Sequence, residues 1–419
     1  MSSPPPSPPR TYLDWAATCP VRPEVAHQVA EDLTAAVAGR GNPASQHSSG
    51  RHAAGLLAEA RARLAAALDV DSHEVLFTSG GTEADALVVS GRARAVPGGR
   101  LVVSPTEHPA VLDSARAALN HLGADLVLLE VDQAGRVVPA SLDAAVRHGG
   151  TGPPASLVSV MTVNNETGLV QDVPALVERV REATGAHRPG QAGYVPVHSD
   201  VVAALGKVAV EPRAWGLDAV SLAGHKLGAP VGTGALVAHR ELVLAPVTGG
   251  GRQERGVRSG TQDVVGARAL ALAVELAVAE RQQQAARMER LRERVLRGAS
   301  TLGGAHATLP TDAASSPATA HLWFEDCDAE ALLMGLDLAG VDVSAGSACH
   351  AGVSQPSHVL VAMGLGEQAA RCALRVSMGT MTTEHDIDHL LEVLPAALEG
   401  ARRAWTARAS PEGLRERRR

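Results

Sequence analysis

Aromatic residues are scarce: two Phe, two Tyr and four Trp in 419 residues. With so much Ala, Arg and Gly, this marks a biased composition and bears on no function. Cysteine is nearly as rare. Cys19, Cys327, Cys349 and Cys372 lie far apart with no Cys-x-x-Cys pair, which disfavours a disulfide framework and a zinc site and leaves free thiols. No metal site is expected. Excess positive charge is missing too, since the net charge of -7 offers no broad attraction to nucleic acid or to an anionic membrane. The basic end Arg415-Glu-Arg-Arg-Arg reads as a frayed, solvated tail. No apolar run approaches the roughly 20 residues of a membrane span, and the start Met1-Ser-Ser-Pro-Pro-Pro lacks the apolar core of a signal peptide. A cytoplasmic protein is expected.

The length predicts two domains, each able to bury a core. Residues 1–10 are a Pro/Ser leader too polar to fold, 11–262 form a large domain, 263–405 a smaller one, and 406–419 a charged tail. A short strand and turn are expected from Asp14 through Pro20, then helices from Pro23 to Val37 and from Ser49 to Leu68. From Glu74 to Ala238 seven short apolar runs, beginning at Val75, Leu101, Asp125, Leu157, Val195, Ala219 and Ala235, alternate with helical spacing near 83–93, 108–121, 140–148 and 173–185. Such alternation predicts an α/β fold with a mostly parallel sheet covered on both faces, which binds ligands at the carboxyl ends of its strands. A long helical stretch from 263 to about 298 leads into a small α/β domain. There, strands are expected near 319–324, 341–343 and 373–377, with helices at 328–338, 355–363 and 384–403.

The chemistry centres on Ser221-Leu-Ala-Gly-His-Lys-Leu-Gly, where an apolar strand runs into a glycine-bounded turn bearing His225 and Lys226. A lysine held at a buried strand end is poorly solvated, which favours the neutral amine that condenses with an aldehyde; the alternative is a surface turn lysine. Thr78-Ser-Gly-Gly-Thr-Glu ends a strand and opens a helix, so free amides, glycines that let the backbone approach and the Thr82 hydroxyl suit a phosphate, or simply shape a capped turn. Asp200 follows another strand and could pair with a pyridinium nitrogen or cap a helix. His108 starts a helix where an imidazole can stack on a flat cofactor and move protons, or serve structure alone. Asn164-Asn165-Glu166-Thr167-Gly168 could fix a phenolic oxygen or make a turn. Cys349 lies in a run of small residues, Ser344-Ala-Gly-Ser-Ala-Cys, with no apolar anchor, which predicts an exposed loop and a reactive thiol; the other three cysteines sit in more apolar surroundings and should be inert. Arg375 inside an apolar strand needs a carboxylate from protein or from substrate.

In this order the motifs resemble the cysteine desulfurases of the NifS/IscS type, pyridoxal-phosphate enzymes of fold type I in the class V aminotransferase group. The resemblance runs from about Tyr12 to Leu394 and rests on Tyr12-Leu-Asp, Gly41-Asn-Pro-Ala-Ser, Thr78-Ser-Gly-Gly-Thr-Glu, Thr106-Glu-His, Asn164-Asn-Glu-Thr-Gly, Gly224-His-Lys, Gln253-Glu-Arg-Gly-Val-Arg-Ser-Gly-Thr and Ser344-Ala-Gly-Ser-Ala-Cys. It implies a cofactor, pyridoxal 5'-phosphate, attached to Lys226, with Asp200 at the pyridine nitrogen and His108 stacked on the ring as proton carrier. Asn165 would meet the phenolic oxygen and the substrate. Gly81, Thr82 and His225 would hold the phosphate, joined by Thr261 from the second subunit of a homodimer. Arg375 would bind the carboxylate of L-cysteine. Cys349 would take its sulfur as a persulfide, leaving L-alanine, and pass it to an acceptor protein in iron–sulfur assembly, tRNA thiolation or a biosynthetic pathway. Rival readings are a selenocysteine lyase or another pyridoxal-phosphate C–S lyase, and, from another class, a non-catalytic scaffold for sulfur-accepting proteins. Two residues depart from the family: Ala203 stands where a glutamine is usual and Ala223 where a serine is. Each removes a hydrogen bond of roughly 1 kcal/mol, so weaker cofactor retention is expected.

Overall fold

The computed structural model describes residues 10–35, 41–147, 152–346 and 356–409. Its strands are β1 (Thr11–Tyr12), β2 (Val75–Thr78), β3 (Arg100–Val103), β4 (Asp125–Leu128), β5 (Ala155–Ser159), β6 (Val197–Asp200), β7 (Ala219–Ala223), β8 (Gly234–Ala238), β9 (Ala305–Ala307), β10 (Thr319–Phe324), β11 (Val341–Asp342) and β12 (Ala373–Ser377). The chain forms two compact units. One comprises Thr18–Asn164 and Val170–Gln282; the other comprises the described parts of 1–17, 165–169 and 283–419. The division falls inside the helix Val264–Ala299, past the boundary at 262 read from the sequence.

The larger unit holds a seven-stranded sheet in the order β2-β8-β7-β6-β5-β3-β4, each strand overlapping an expected run, with β5 beginning two residues earlier than read and β6 two residues later. Only β8 runs against its neighbours, so the carboxyl ends of β2, β3, β5, β6 and β7 share one edge. Strands β2, β6, β7 and β8 are buried at every residue, as apolar runs covered by helices on both faces must be. One face packs Leu57, Leu64, Val220 and Leu222 against Leu270 and Val274; the other packs Leu76, Val88, Leu101, Val111 and Leu236. The crossover helices have clear local causes. His108 caps the helix Pro109–Leu122, with Pro109 at its first turn and Gly123 in the left-handed conformation at its end. Asp172 and Gly185 do the same for Val173–Thr184.

In the smaller unit β10 lies between β9 and β12, antiparallel to both, while β1 pairs in parallel with β11. Helices Ala329–Leu338 and Glu384–Ala409 cover this sheet, burying Leu332, Leu336, Ile387, Leu390 and Leu394 with Leu322, Phe324 and Leu374. Three expectations need correction. Asp14 through Pro20 is no strand: Asp14 makes a single bridge to Ser377, and the chain turns at once, with the Ala17 N–H donating to the Asp14 carbonyl. Arg10, assigned to the leader, is fixed by the Asp342 carboxylate at 2.7 Å. The last helix runs on to Ala409 rather than fraying at 406, because Arg408 pairs with Asp328.

Candidate active site

At the shared strand edge of the larger unit, chain order delivers six of the expected residues: Gly81, Thr82, His108, Asp200, His225 and Lys226. Asp200 ends β6 directly opposite Ser221 of β7, and β7 then passes through Ala223 into the turn Gly224–Lys226. This brings the carboxyl of Asp200 within electrostatic reach of the Lys226 amine. Asp200 is 3% exposed and accepts one hydrogen bond, from the Val202 N–H at 2.8 Å. Burial pushes its pKa up to about 6 against the opposing pull of Lys226. The turn itself is braced from Thr18–Arg22: the Cys19 N–H donates to the His225 carbonyl at 2.8 Å, the Cys19 thiol to the Lys226 carbonyl at 3.1 Å, and Arg22 Nε to the Leu227 carbonyl at 3.0 Å. His225 Nδ1 shares a proton with Thr18 Oγ1 at 3.2 Å, and burial with the neighbouring ammonium lowers its pKa to about 4, so the ring is neutral.

The helix Gly81–Ala95 begins behind this turn with no side-chain cap, leaving its first amides for another acceptor. The approach is close. A Cβ on Gly81 would stand 2.8 Å from Val202 Cγ2 and 3.4 Å from the Ala223 Cβ, and one on Gly234 would strike the Gly80 backbone at 2.6 Å. His108 accepts the Ala110 N–H on Nδ1 at 3.1 Å, so its neutral ring carries the proton on Nε2. Thr261 is exposed and, with Thr78, Ser79 and Arg258 of its own chain, lines a cavity of about 80 Å3.

A different set assembles in the smaller unit. Arg375, 5% exposed on β12, donates to the Asp14 carboxylate and to the Asn165 carbonyl, both at 2.9 Å, and its Nε has no hydrogen-bond partner among the described residues. Both alternatives read from the sequence are thus in play: an internal ion pair, with one donor left over. Glu166 is buried and accepts from Ser357 Oγ at 2.5 Å. Cys349 lies outside the described residues. Cys327 and Cys372 are buried, and burial raises both thiols, Cys327 to about 12. Burial also raises Cys19, against the pull of Lys207, Lys226 and Arg22.

Sequence reasoning missed the buried groups beneath the strand edge. His198 sits two residues before Asp200 on the same sheet face, Glu107 accepts the Met161 N–H at 2.5 Å, and Asp85 lies one turn into the helix after Thr82. The period of two along β6 could have found His198. Asp14 was noted as part of a motif, not as the partner of Arg375.

The match to the class-V aminotransferase family model spans residues 11–390. The chain belongs to that family. Within it, the chain groups with the NifS/IscS-type cysteine desulfurases, which are pyridoxal-phosphate-dependent. It is 40% identical to an IscS-like cysteine desulfurase of Mycobacterium tuberculosis, covering 95% of this chain and 98% of that protein. Among solved structures it resembles a NifS-like protein with TM-score 0.82 at 30% identity, over 93% of this chain and 99% of the other. It also resembles SspA in complex with cysteine, with TM-score 0.72 at 28% identity, over 88% and 98%. The residues present fit the family's cofactor: an uncapped helix start for a phosphate, a lysine on a braced turn, and a buried carboxylate aligned beside it.

Proposed function

We propose that this protein is a cysteine desulfurase, which takes the sulfur of L-cysteine as a persulfide on Cys349 and releases L-alanine. The observation that supports it most is the register of β6 and β7, which sets the buried Asp200 beside the turn bearing Lys226. When bound, pyridoxal phosphate supplies the electron sink for breaking bonds at the amino acid's Cα and Cβ. Lys226 would be its covalent anchor. The first amides of Gly81 and Thr82, the Thr82 hydroxyl and His225 hold the phosphate, with Thr261 contributed by the second subunit of a homodimer. Asp200, as a carboxylate, would keep the ring nitrogen protonated. His108, its Nδ1 committed to the helix start, would offer the proton on Nε2 to the ring face, while the free Lys226 amine would take the proton from Cα. Asn165 orients the phenolic oxygen and the substrate, and Arg375 binds the substrate carboxylate. The Cys349 thiolate then attacks the substrate sulfur, and the electrons of the Cβ–S bond stay with the carbon that becomes the methyl group of alanine.

Cytoplasmic location and delivery of the sulfur to an acceptor protein for iron–sulfur assembly, tRNA thiolation or a biosynthetic pathway complete the reading. No helix among the described residues is long and apolar enough to cross a membrane. Mass spectrometry after incubation with cysteine tests it: one added sulfur is expected on the peptide containing Cys349. If Cys349→Ala still releases sulfide at the wild-type rate, the persulfide route is wrong.

A further inference from the structure

A second carboxyl group lies beneath Asp200, and no step above uses it. Asp85 projects from the helix Gly81–Ala95 with 1% exposure. His198 and Asp200 share one face of β6, and Ser221 faces them from β7. These groups form a row. Ser159 Oγ lies 2.9 Å from His198 Nδ1, and His198 Nε2 lies 2.9 Å from Ser221 Oγ. The Asp85 carboxyl lies beside this pair, its Oδ1 3.7 Å from His198 Nε2 and with no hydrogen-bond partner among the described residues. Glu107, wholly buried, adds a third carboxyl whose charge would act on both Asp85 and Asp200's surroundings. The cation acting on Asp200 is Lys226, and burial keeps His198 neutral by lowering its pKa to about 3, so the 3.7 Å contact is no ion pair. These three buried carboxyls act on one another while the Lys226 ammonium acts on Asp200, so ionising all three together is disfavoured.

We propose that Asp85 is a positioning residue for Asp200: a carboxylic acid that keeps its proton and, through Ser221 and His198, orients the row beneath Asp200 so that the negative charge at the end of β6 rests on Asp200. The proton on Asp85 stands independently of the cofactor; only its consequence rests on the role given to Asp200 above. Burial and the nearby carboxylates raise the Asp85 pKa well above its ordinary value, in agreement.

Infrared difference spectra of wild type minus Asp85→Asn at neutral pH test the proton, with and without cofactor. A protonated-carboxyl C=O band that moves to lower frequency in D2O is expected in wild type and absent from the variant; a carboxylate band in its place overturns the proposal. Thermal unfolding supplies a second reading. With the folded-state pKa raised above the unfolded value of about 3.9, Asp85's contribution is fully present below about pH 4 and lost as pH rises toward the folded pKa. The Tm of Asp85→Asn relative to wild type should therefore climb between about pH 5 and about pH 8. A flat or falling difference refutes it. For the orientation, Asp85→Asn should keep the wild-type pH midpoint of the Lys226-bound cofactor's absorbance, while Asp85→Ala should displace it by roughly half a pH unit, about threefold in ionisation constant. Equal midpoints in all three proteins would remove the positioning role. Should Asp85→Ala not fold, a midpoint displaced in Asp85→Asn refutes that role and a preserved one supports it. Absence of any cofactor absorbance alongside an intact infrared band would sink the roles of Lys226 and Asp200 instead.

Discussion

Replacing Ala223 by serine should tighten cofactor binding. Ala223 ends β7 at 3% exposure, and its Cβ lies 3.4 Å from where a Gly81 Cβ would stand, so position 223 faces the uncapped first turn of the helix Gly81–Ala95. A hydroxyl there reaches the same ground as the helix amides and can donate to a phosphate oxygen. Hydrogen bonds to charged groups contribute about 1.5–3 kcal/mol, and ordering a new buried side chain costs up to about 1, which leaves a net gain near 1 kcal/mol. The dissociation constant should fall about fivefold. Spectrophotometric titration of the cofactor-free protein measures it directly. The control is pyridoxal without its phosphate, for which the gain should vanish. If Ala223→Ser binds pyridoxal phosphate no more tightly than wild type, or gains equally toward pyridoxal, the helix start is not the phosphate site. The half-buried Ala203, packed beside Val201 and Leu205, gives the companion variant Ala203→Gln, whose effect should add to the first if the two contact different atoms of the ligand.

Cofactor affinity should depend on pH through Asp200, whose pKa is pushed up to about 6: above that value the carboxylate can hold a protonated ring nitrogen, and below it affinity should fall by up to about tenfold per pH unit. Asp200→Asn should bind weakly at every pH, and an unchanged slope in that variant would assign the titration elsewhere. Glu254, with a fully buried side chain, takes both terminal nitrogens of Arg61 at 2.7 and 2.8 Å and the Phe77 N–H at 3.0 Å. Glu254→Ala should therefore destabilise the larger unit by about 3 kcal/mol in denaturant unfolding, and a loss under 1 would show the pair to be replaceable by solvent. Asp14→Asn removes the charge that competes for Arg375, so the KM for cysteine should fall by roughly two- to fivefold. A higher KM would separate Arg375 from the substrate carboxylate.

What could be read from the chain followed from chain-local physics. Each of the seven apolar runs of the large sheet is a strand because a short buried run between helices has few other options, and Asp200 and Lys226 stand as candidates because each lies where such a run stops. Of the two, only Lys226 lies within a family motif, Gly224-His-Lys. The missed features are those whose partners lie far away in sequence or on another element. Arg375 and Asp14 are separated by 361 positions, and nothing near either names the other. Strand β9, Ala305-His-Ala, carries no β-branched residue and exists because β10 offers it an edge. Asp85 and Glu107 looked like ordinary polar positions near helix starts, where carboxylates are common and favourable. Their burial changes the meaning of the site, because a strand end that reads as one carboxylate is in the folded chain a group of three buried acids, of which Asp200 feels Lys226. A charged Asp200 favours protons on the other two, so the ionisation of the residue that the sequence revealed is tied to the protonation of the two that it hid.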